Sequence, residues 1–159
     1  MTNFLCPMLR AWCAIALLAL AATNALAQEQ SIAEQRMVGT WYGEFAPSAS
    51  SPMKRSITAQ RFITVRRADG TFTLQARMYQ DGKKVAEARN SGMWGISNGM
   101  YFTVTTEVNG KPSDAKRPEA INAYLVKALD ANRFEYMHVA SGSQFTVTRA
   151  DPANVRLPD

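Results

Sequence analysis

Residues 71–80 read TFTLQARMYQ, and apolar and polar side chains alternate through this stretch. The apolar members of the alternation are Phe72, Leu74, Ala76 and Met78. A repeat of two residues is that of a β-strand with one buried face. The dipeptides Asp69-Gly70 and Asp81-Gly82 bound the stretch, and such dipeptides are typical of hairpin turns. The stretch therefore predicts a strand that is paired with both of its chain neighbours.

The same pattern extends in both directions along the chain. Strands are predicted at 40–45, 56–67, 71–80, 84–96, 100–108, 121–129, 133–139 and 144–149, with a bulge or bend near 90–92. Ser31 to Val38 is the one candidate helix, in which Ser31 and Glu34 fit a capping box. Lys111 to Pro118 carries two prolines and four charges, which favours an exposed loop. Short turns without helical crossovers predict an all-β fold: an antiparallel up-and-down barrel of about eight strands after one short helix.

The first 27 residues have the order of a secretory signal peptide. Arg10 precedes an apolar run of about a dozen residues, shorter than the roughly 20 that span a bilayer. The run ends in Ala25-Leu26-Ala27, after which cleavage is expected. The sequence thus predicts a signal peptide at 1–27, a barrel domain at 28–150 and a disordered C-terminal tail at 151–159. The product is expected to be periplasmic or secreted, without stable membrane insertion.

Composition argues against several kinds of site. Both cysteines, Cys6 and Cys13, lie in the predicted signal peptide, so the mature chain lacks thiols and disulfides. His138 is the only histidine, whereas zinc sites draw on several His or Cys ligands. Neither a nucleophile elbow nor a phosphate-binding glycine loop is present. No metal, no cofactor and no enzymatic activity are therefore expected.

The positive charge of the chain is spread along it. Removing the predicted signal peptide takes away one of 18 Lys and Arg and none of 13 Asp and Glu, which leaves a net charge of +4. Nucleic-acid binding would favour a clustered basic stripe with interleaved aromatic residues. The scattered cations instead indicate a solvated surface, and nucleic acid is not an expected partner.

The segment Gly39-Thr40-Trp41, which follows the predicted helix, resembles the opening of bacterial lipocalin-like proteins. In that family the tryptophan closes one end of the barrel, and an arginine near the end of the last strand packs across its ring. The resemblance assigns these roles to Gly39, Trp41 and Arg149. The chain departs from larger lipocalins in its shortness and in lacking their disulfide and Thr-Asp-Tyr motif. Streptavidin-like barrels also begin with Gly-x-Trp-Tyr, but most of the tryptophans that wall their biotin pocket are missing here.

Strand alternation selects the residues that line or fill the interior. Arg61 shares a face with Ile63 and Val65, and an inward Arg61 would be a buried cation in need of a partner. Glu87, Tyr101 and Tyr124 are the candidate partners; the alternative is that the strand bends and Arg61 reaches solvent at the barrel mouth. The candidate ligand-binding residues are Arg61, Phe72, Leu74, Met78, Phe102, Tyr124, Tyr136 and His138, with Val104, Phe134 and Phe145 as further lining residues.

Three functions remain open from the sequence. The first is a non-enzymatic barrel that binds a small, partly apolar or carboxylate-bearing molecule. The second is a protein-interaction module, such as an inhibitor or an envelope accessory, with a packed interior and functional loops at 46–52 and 111–118. The third is a small enzyme that uses Arg61, Tyr124 and Glu87. Because eight-stranded barrels are either filled or hold one small ligand, strand number does not decide among them.

Overall fold

The structure is a computed structural model that describes residues 31–46 and 57–159. The predicted signal peptide and most of the predicted 46–52 loop lie outside these ranges. Residues 33–159 form one structural unit. Within the described ranges, no helix is both long and apolar enough to cross a membrane.

One short helix and nine strands make up the regular structure of the described residues. The helix, α1, covers residues 31–37. The strands are β1 (Gly39–Phe45), β2 (Ala59–Arg66), β3 (Thr71–Gln80), β4 (Lys83–Ser97), β5 (Met100–Val108), β6 (Lys111–Pro112), β7 (Ile121–Leu129), β8 (Arg133–His138) and β9 (Gln144–Arg149). A single turn of 3₁₀-helix at Pro118–Ala120 precedes β7.

The strands close into an antiparallel barrel. β1 pairs with both β2 and β9, and β4 pairs with β5, so that eight strands form a continuous ring. The two-residue β6 pairs only with the end of β5. The predicted all-β, eight-stranded barrel after a short helix is confirmed, and closure leaves its main strands without free edges. The loop predicted at 111–118 is mostly exposed, but it begins with β6 and ends where the 3₁₀ turn starts.

The turn at Asp81-Gly82 lies where its dipeptide predicted it, and two Asn-Gly dipeptides form turns of the same kind. Both residues have positive φ in Asp81-Gly82, Asn98-Gly99 and Asn109-Gly110. This is the requirement of the type I′ turn, whose twist matches that of the flanking strands. The bend expected near residues 90–92 is a register shift between Ser91 and Gly92 in the pairing of β4 with β5.

The barrel interior is defined by the register of β1. Trp41 is fully buried and lies opposite Thr64, while Gly43 lies opposite Phe62. Directly opposed residues point to the same face of a sheet. The face of β2 that carries Phe62 and Thr64 is therefore internal. The central core consists of Met37, Trp41, Phe62, Phe72, Ala76, Trp94, Ile96, Tyr101, Phe134, Tyr136 and Val147.

Residues 151–159, predicted as a disordered tail, lie against the outer face of β1–β3. They contain one turn and otherwise no regular structure. Leu157 is 8% exposed, and Arg77 Nη1 donates hydrogen bonds of 2.7 Å to the carbonyls of Leu157 and Pro158. The Tyr79 hydroxyl also donates to the Pro158 carbonyl, at 2.5 Å. In the structure the tail therefore makes defined contacts with β3, and its order in solution stays a matter for experiment.

Candidate functional site

One end of the barrel is sealed around Trp41. The indole Nε1 donates to the Met37 carbonyl at 2.9 Å, which fixes the end of α1 over the barrel. The Arg149 guanidinium carbon lies 4.5 Å from the centroid of the Trp41 ring. The contact that the resemblance implied between these two residues is thus present. We call this end of the barrel, around Trp41, the closed end.

Burial decreases toward the opposite end of the interior. His138 and Phe145, on β8 and β9, are half-buried, as are Phe45, Gln60 and Met78, on β1, β2 and β3. The register places all five on the inward face: Phe45 opposes Gln60, Gln60 opposes Met78, and Phe145 opposes Tyr136. This rim, as far as the described residues form it, is half-buried and is called the open end.

A buried arginine lies inside the barrel near the closed end. Arg66, the last residue of β2, is only 2% exposed. Its Nε donates to the Tyr101 hydroxyl at 3.2 Å, and its guanidinium carbon lies 4.9 Å from the Tyr101 ring centroid and 5.4 Å from that of Phe134. Its Nη1 is buried and has no hydrogen-bond partner. Arg66 is therefore held by aromatic rings but keeps an unsatisfied donor.

No carboxylate balances the charge of Arg66 among the described residues. The ion pairs found there involve Arg61, Arg77, Arg89, Arg117 and Arg133. A buried charge without a partner is unfavourable by several kcal/mol, because the interior does not replace its hydration. Such an arrangement is uncommon in a purely structural core.

The tyrosines around Arg66 do not supply the missing charge. Burial raises the pKa of Tyr136 far above its ordinary value, and the Arg66 cation acts in the opposite direction. Burial is also the largest cause of the raised pKa of Tyr124, and the electrostatic interaction with Tyr101 raises it further. Both phenols therefore stay protonated at neutral pH, and they can donate or accept hydrogen bonds without neutralising the guanidinium.

Aromatic rings connect the open end with Arg66. His138 lies at the end of β8 with its ring centroid 5.1 Å from that of Tyr124, and Tyr124 stacks on Tyr101 at 5.2 Å. Tyr101 is the residue that binds Arg66. Tyr136 packs against both Tyr101 and Tyr124, at 5.6 and 5.1 Å. We call this set of five residues the tyrosine column: His138, Tyr124, Tyr136, Tyr101 and Arg66. Its four rings form a wall that runs from the rim to the guanidinium of Arg66.

A second unsatisfied polar atom lies on the inward face of β4. Asn90 opposes Leu74, which packs against the core, and the buried Oδ1 of Asn90 has no hydrogen-bond partner. Buried polar groups in native proteins are nearly always paired with protein or water. Among the described residues, the interior therefore carries an unused donor on Arg66 and an unused acceptor on Asn90.

The structure corrects the sequence prediction for Arg61. Arg61 lies on the outer face of β2, where its Nε is 3.0 Å from Glu44 Oε1 and its guanidinium lies 4.9 Å from the Tyr79 ring centroid. The reason is the register of β1 and β2, which turns Phe62 inward. Glu87, its predicted partner, also lies outside, and Gln75 and Arg77 bind it. Arg66 has the buried position that an inward-facing Arg61 would have had.

Phe102 and Val104 also differ from their predicted positions. Ile96 opposes Tyr101 and Trp94 opposes Thr103, so that Tyr101 and Thr103 point inward and Phe102 points outward. Phe102 is 41% exposed, and its ring covers Gly95, which opposes it on β4. Val104 opposes Met93, which is 58% exposed. Two adjacent aromatic residues, Tyr101 and Phe102, made the inward face of β5 ambiguous in the sequence.

The other predicted interior residues face the barrel lumen. Phe72, Phe134 and Tyr136 are buried, whereas Leu74, Tyr124 and Phe145 are partly buried against them. Met78 shares the inward face of β3 with Phe72 and Ala76. His138 Nδ1 lies 2.8 Å from the Ser141 hydroxyl, so this histidine has a partner within its own turn. Among the described residues, no three His, Cys, Asp or Glu side chains cluster as metal ligands would.

Two grooves lie on the outside of the barrel. One, of about 370 Å³, lies between the tail and the outer face of β1–β3. The other, of about 630 Å³, lies along residues 108–119. Neither groove contains a residue of the tyrosine column.

The comparisons with known proteins do not identify a family for this chain. No family model matches this chain, and the search of curated proteins found no relative. The closed eight-stranded antiparallel barrel is consistent with a lipocalin-like fold. The residues of the barrel interior therefore define the candidate site.

Proposed function

We propose that this chain is an exported, lipocalin-like protein that binds a small, partly apolar molecule inside its barrel, without catalysing a reaction. The observation that carries the proposal is the buried Arg66 Nη1, which has no protein partner. The unused Oδ1 of Asn90 supports it from a second strand. Ligand sites typically combine apolar and aromatic walls with a few such polar groups.

The tyrosine column supplies the apolar part of such a site. Tyr124 and Tyr136 bring large aromatic surfaces inside, and their hydroxyls stay protonated. The burial gradient from Trp41 to His138 gives the interior one sealed and one more accessible end. Together these features favour an end-on approach by an elongated or flat molecule.

The experiment is native mass spectrometry of the protein purified from the periplasm of the cells that express it. A co-purified small molecule, or a rise in melting temperature with members of an aromatic and aliphatic ligand panel, is expected. Phe102→Ser is the matched control, because Phe102 is a large apolar residue outside the barrel and its loss should leave ligand binding unchanged. A ligand-free mass together with no thermal shift across the panel would contradict the proposal.

A protein-interaction module is the second candidate, and the groove along residues 108–119 favours it. Lys111, Asp114, Arg117 and Glu119 place charges of both signs around this groove. Such a module would retain a stoichiometric partner in a pull-down, and Lys111→Glu combined with Arg117→Glu would release it. Retention of the partner by this variant would contradict a role for the loop.

A further inference from the structure

We infer that Arg66 is the anchor for an acidic head group, so that the ligand class of the barrel is a small amphiphilic carboxylate. This inference rests on the proposed interior binding function and specifies its chemistry. An acid and the corresponding neutral alcohol fill the same apolar space. The two molecules differ only in the head group, which is the part that would meet the buried guanidinium.

The charge balance of the interior favours an anion over a neutral group. Arg66 is 2% exposed, and no described carboxylate forms an ion pair with it. A neutral ligand would satisfy Nη1 by a hydrogen bond but would leave the charge uncompensated. A carboxylate would do both, and the planar guanidinium presents paired donors that match carboxylate geometry.

The neighbours of Arg66 fix its orientation. Its Nε is engaged by the Tyr101 hydroxyl, and the Tyr101 and Phe134 rings lie beside its guanidinium. Nη1 thereby stays in a defined position without a partner. An anchor held in place before binding loses little conformational freedom when the ligand arrives.

The apolar part of the ligand would lie along the tyrosine column. Tyr124 stacks on Tyr101 and reaches toward His138 at the rim. An acid whose head group meets Arg66 would therefore direct its hydrocarbon or aromatic part toward the open end. This orientation predicts that chain length is tolerated at the rim and that the head group is recognised strictly.

The test compares matched acids and alcohols on the mature protein. Decanoate with decan-1-ol, and 3-phenylpropanoate with 3-phenylpropan-1-ol, are titrated by isothermal calorimetry. The variants are Arg66→Met, which keeps length and removes charge, Arg66→Lys, which keeps charge, and Arg61→Met, which removes the outer cation. We expect the acid of at least one pair to bind at least tenfold more tightly than its alcohol. Arg66→Met should abolish that preference, Arg66→Lys should retain part of it, and Arg61→Met should leave it unchanged.

A ligand-free measurement separates anchoring from a structural role. Without ligand, Arg66→Met is expected to raise the melting temperature, since it removes an uncompensated buried charge. A lower melting temperature that Arg66→Lys restores would make Arg66 a structural residue and would overturn the inference.

The two proposals fail in distinguishable ways. Equal binding of acids and alcohols, or undiminished acid binding by Arg66→Met, overturns the carboxylate anchor and leaves interior binding intact. If no acid and no alcohol binds the wild-type protein, the carboxylate anchor is overturned, and the native mass together with the wider ligand panel decides whether the interior binds another molecule.

Discussion

The guanidinium of Arg149 lies 4.5 Å over the indole of Trp41 and joins the last strand to the first. Its three nitrogens also donate to the carbonyls of Ala131, Val38 and Arg36, at 2.5, 2.8 and 2.6 Å. One side chain therefore connects β9, the β7–β8 turn, the end of α1 and the start of β1. This clasp explains why the closed end of the barrel is the most completely buried part of the interior.

Removing the Arg149 side chain should destabilise the barrel. Arg149→Ala deletes the contact with Trp41, worth about 0.5–2 kcal/mol, and removes the donors from three carbonyls at about 1 kcal/mol each before water compensates. We expect a loss of about 2 kcal/mol in the free energy of unfolding, measured by urea denaturation. Arg133→Ala is the control, since Arg133 is an exposed residue paired with Glu135 and should cost under about 1 kcal/mol. Equal effects of the two substitutions would refute the clasp.

Gly39 is required by the same clasp. Its φ of +129° is one that side-chain-bearing residues rarely adopt, and a Cβ there would overlap Arg149 Nη1. Gly39→Ala should therefore cost at least about 2 kcal/mol, through backbone strain and displacement of Arg149. Gly82→Ala is a matched control, because Gly82 has a φ of +80° but nothing lies within 4 Å of its Cβ position. The control should cost about 1 kcal/mol; a Gly82→Ala effect as large as that of Gly39→Ala would show that Arg149 contact is irrelevant.

The tail should contribute to stability through Leu157. Leu157→Ala removes a side chain that is 8% exposed, and we expect a loss of about 2 kcal/mol together with faster amide exchange at Val155. Asp159→Asn is the control, because the Asp159 carboxylate that pairs with Arg77 is 97% exposed and contributes little. If hydrogen exchange finds the tail amides unprotected in the wild-type protein, the sequence prediction of a disordered tail is correct for the protein in solution.

Acid should destabilise the barrel partly through Asp130. The hydrogen bonds that its carboxylate accepts from the backbone N–H groups of Asn132 and Arg133, both at 2.7 Å, hold its pKa below the ordinary value. A carboxyl whose pKa is lower in the folded state stabilises folding above its unfolded pKa, and this contribution is lost as the pH falls through the folded pKa. The urea midpoint should therefore drop as the pH falls below about 4, the ordinary pKa of an aspartate side chain. Asp130→Asn should make the drop smaller, and an unchanged pH dependence would show that Asp130 does not contribute.

The sequence was sufficient for features that depend on neighbouring residues. The alternation at 71–80 and the Asp-Gly dipeptides predicted strands and hairpin turns, because side-chain period and positive φ are local properties. The Gly39-Thr40-Trp41 segment, through its family resemblance, also led to Arg149. That long-range contact was accessible because the resemblance assigns one of its residues to the first strand and the other to the last strand.

The inward face of β2 required the tertiary structure. Ile63 and Val65 are apolar although they point outward, because the tail covers the outer face of β1–β3. Apolar residues on both faces remove the contrast on which alternation depends. Phe62 was the available signal, since it shares a face with Arg66 and opposes Gly43. The alternation of Ile63 and Val65 instead favoured Arg61 as the inward-facing arginine.

The sequence by itself determined the main strands, their turns and their chain order, and its family resemblance implied the clasp between the barrel's first and last strands. Only the tertiary structure decided which arginine is internal, since that depends on how Trp41 sets the register between β1 and β2. A shift of one residue reverses every side chain of a strand, so the choice between Arg61 and Arg66 is made by packing across strands. The candidate ligand anchor thus depends on the burial of Trp41, which selects the face of β2 that carries Phe62, Thr64 and Arg66 as the inward one.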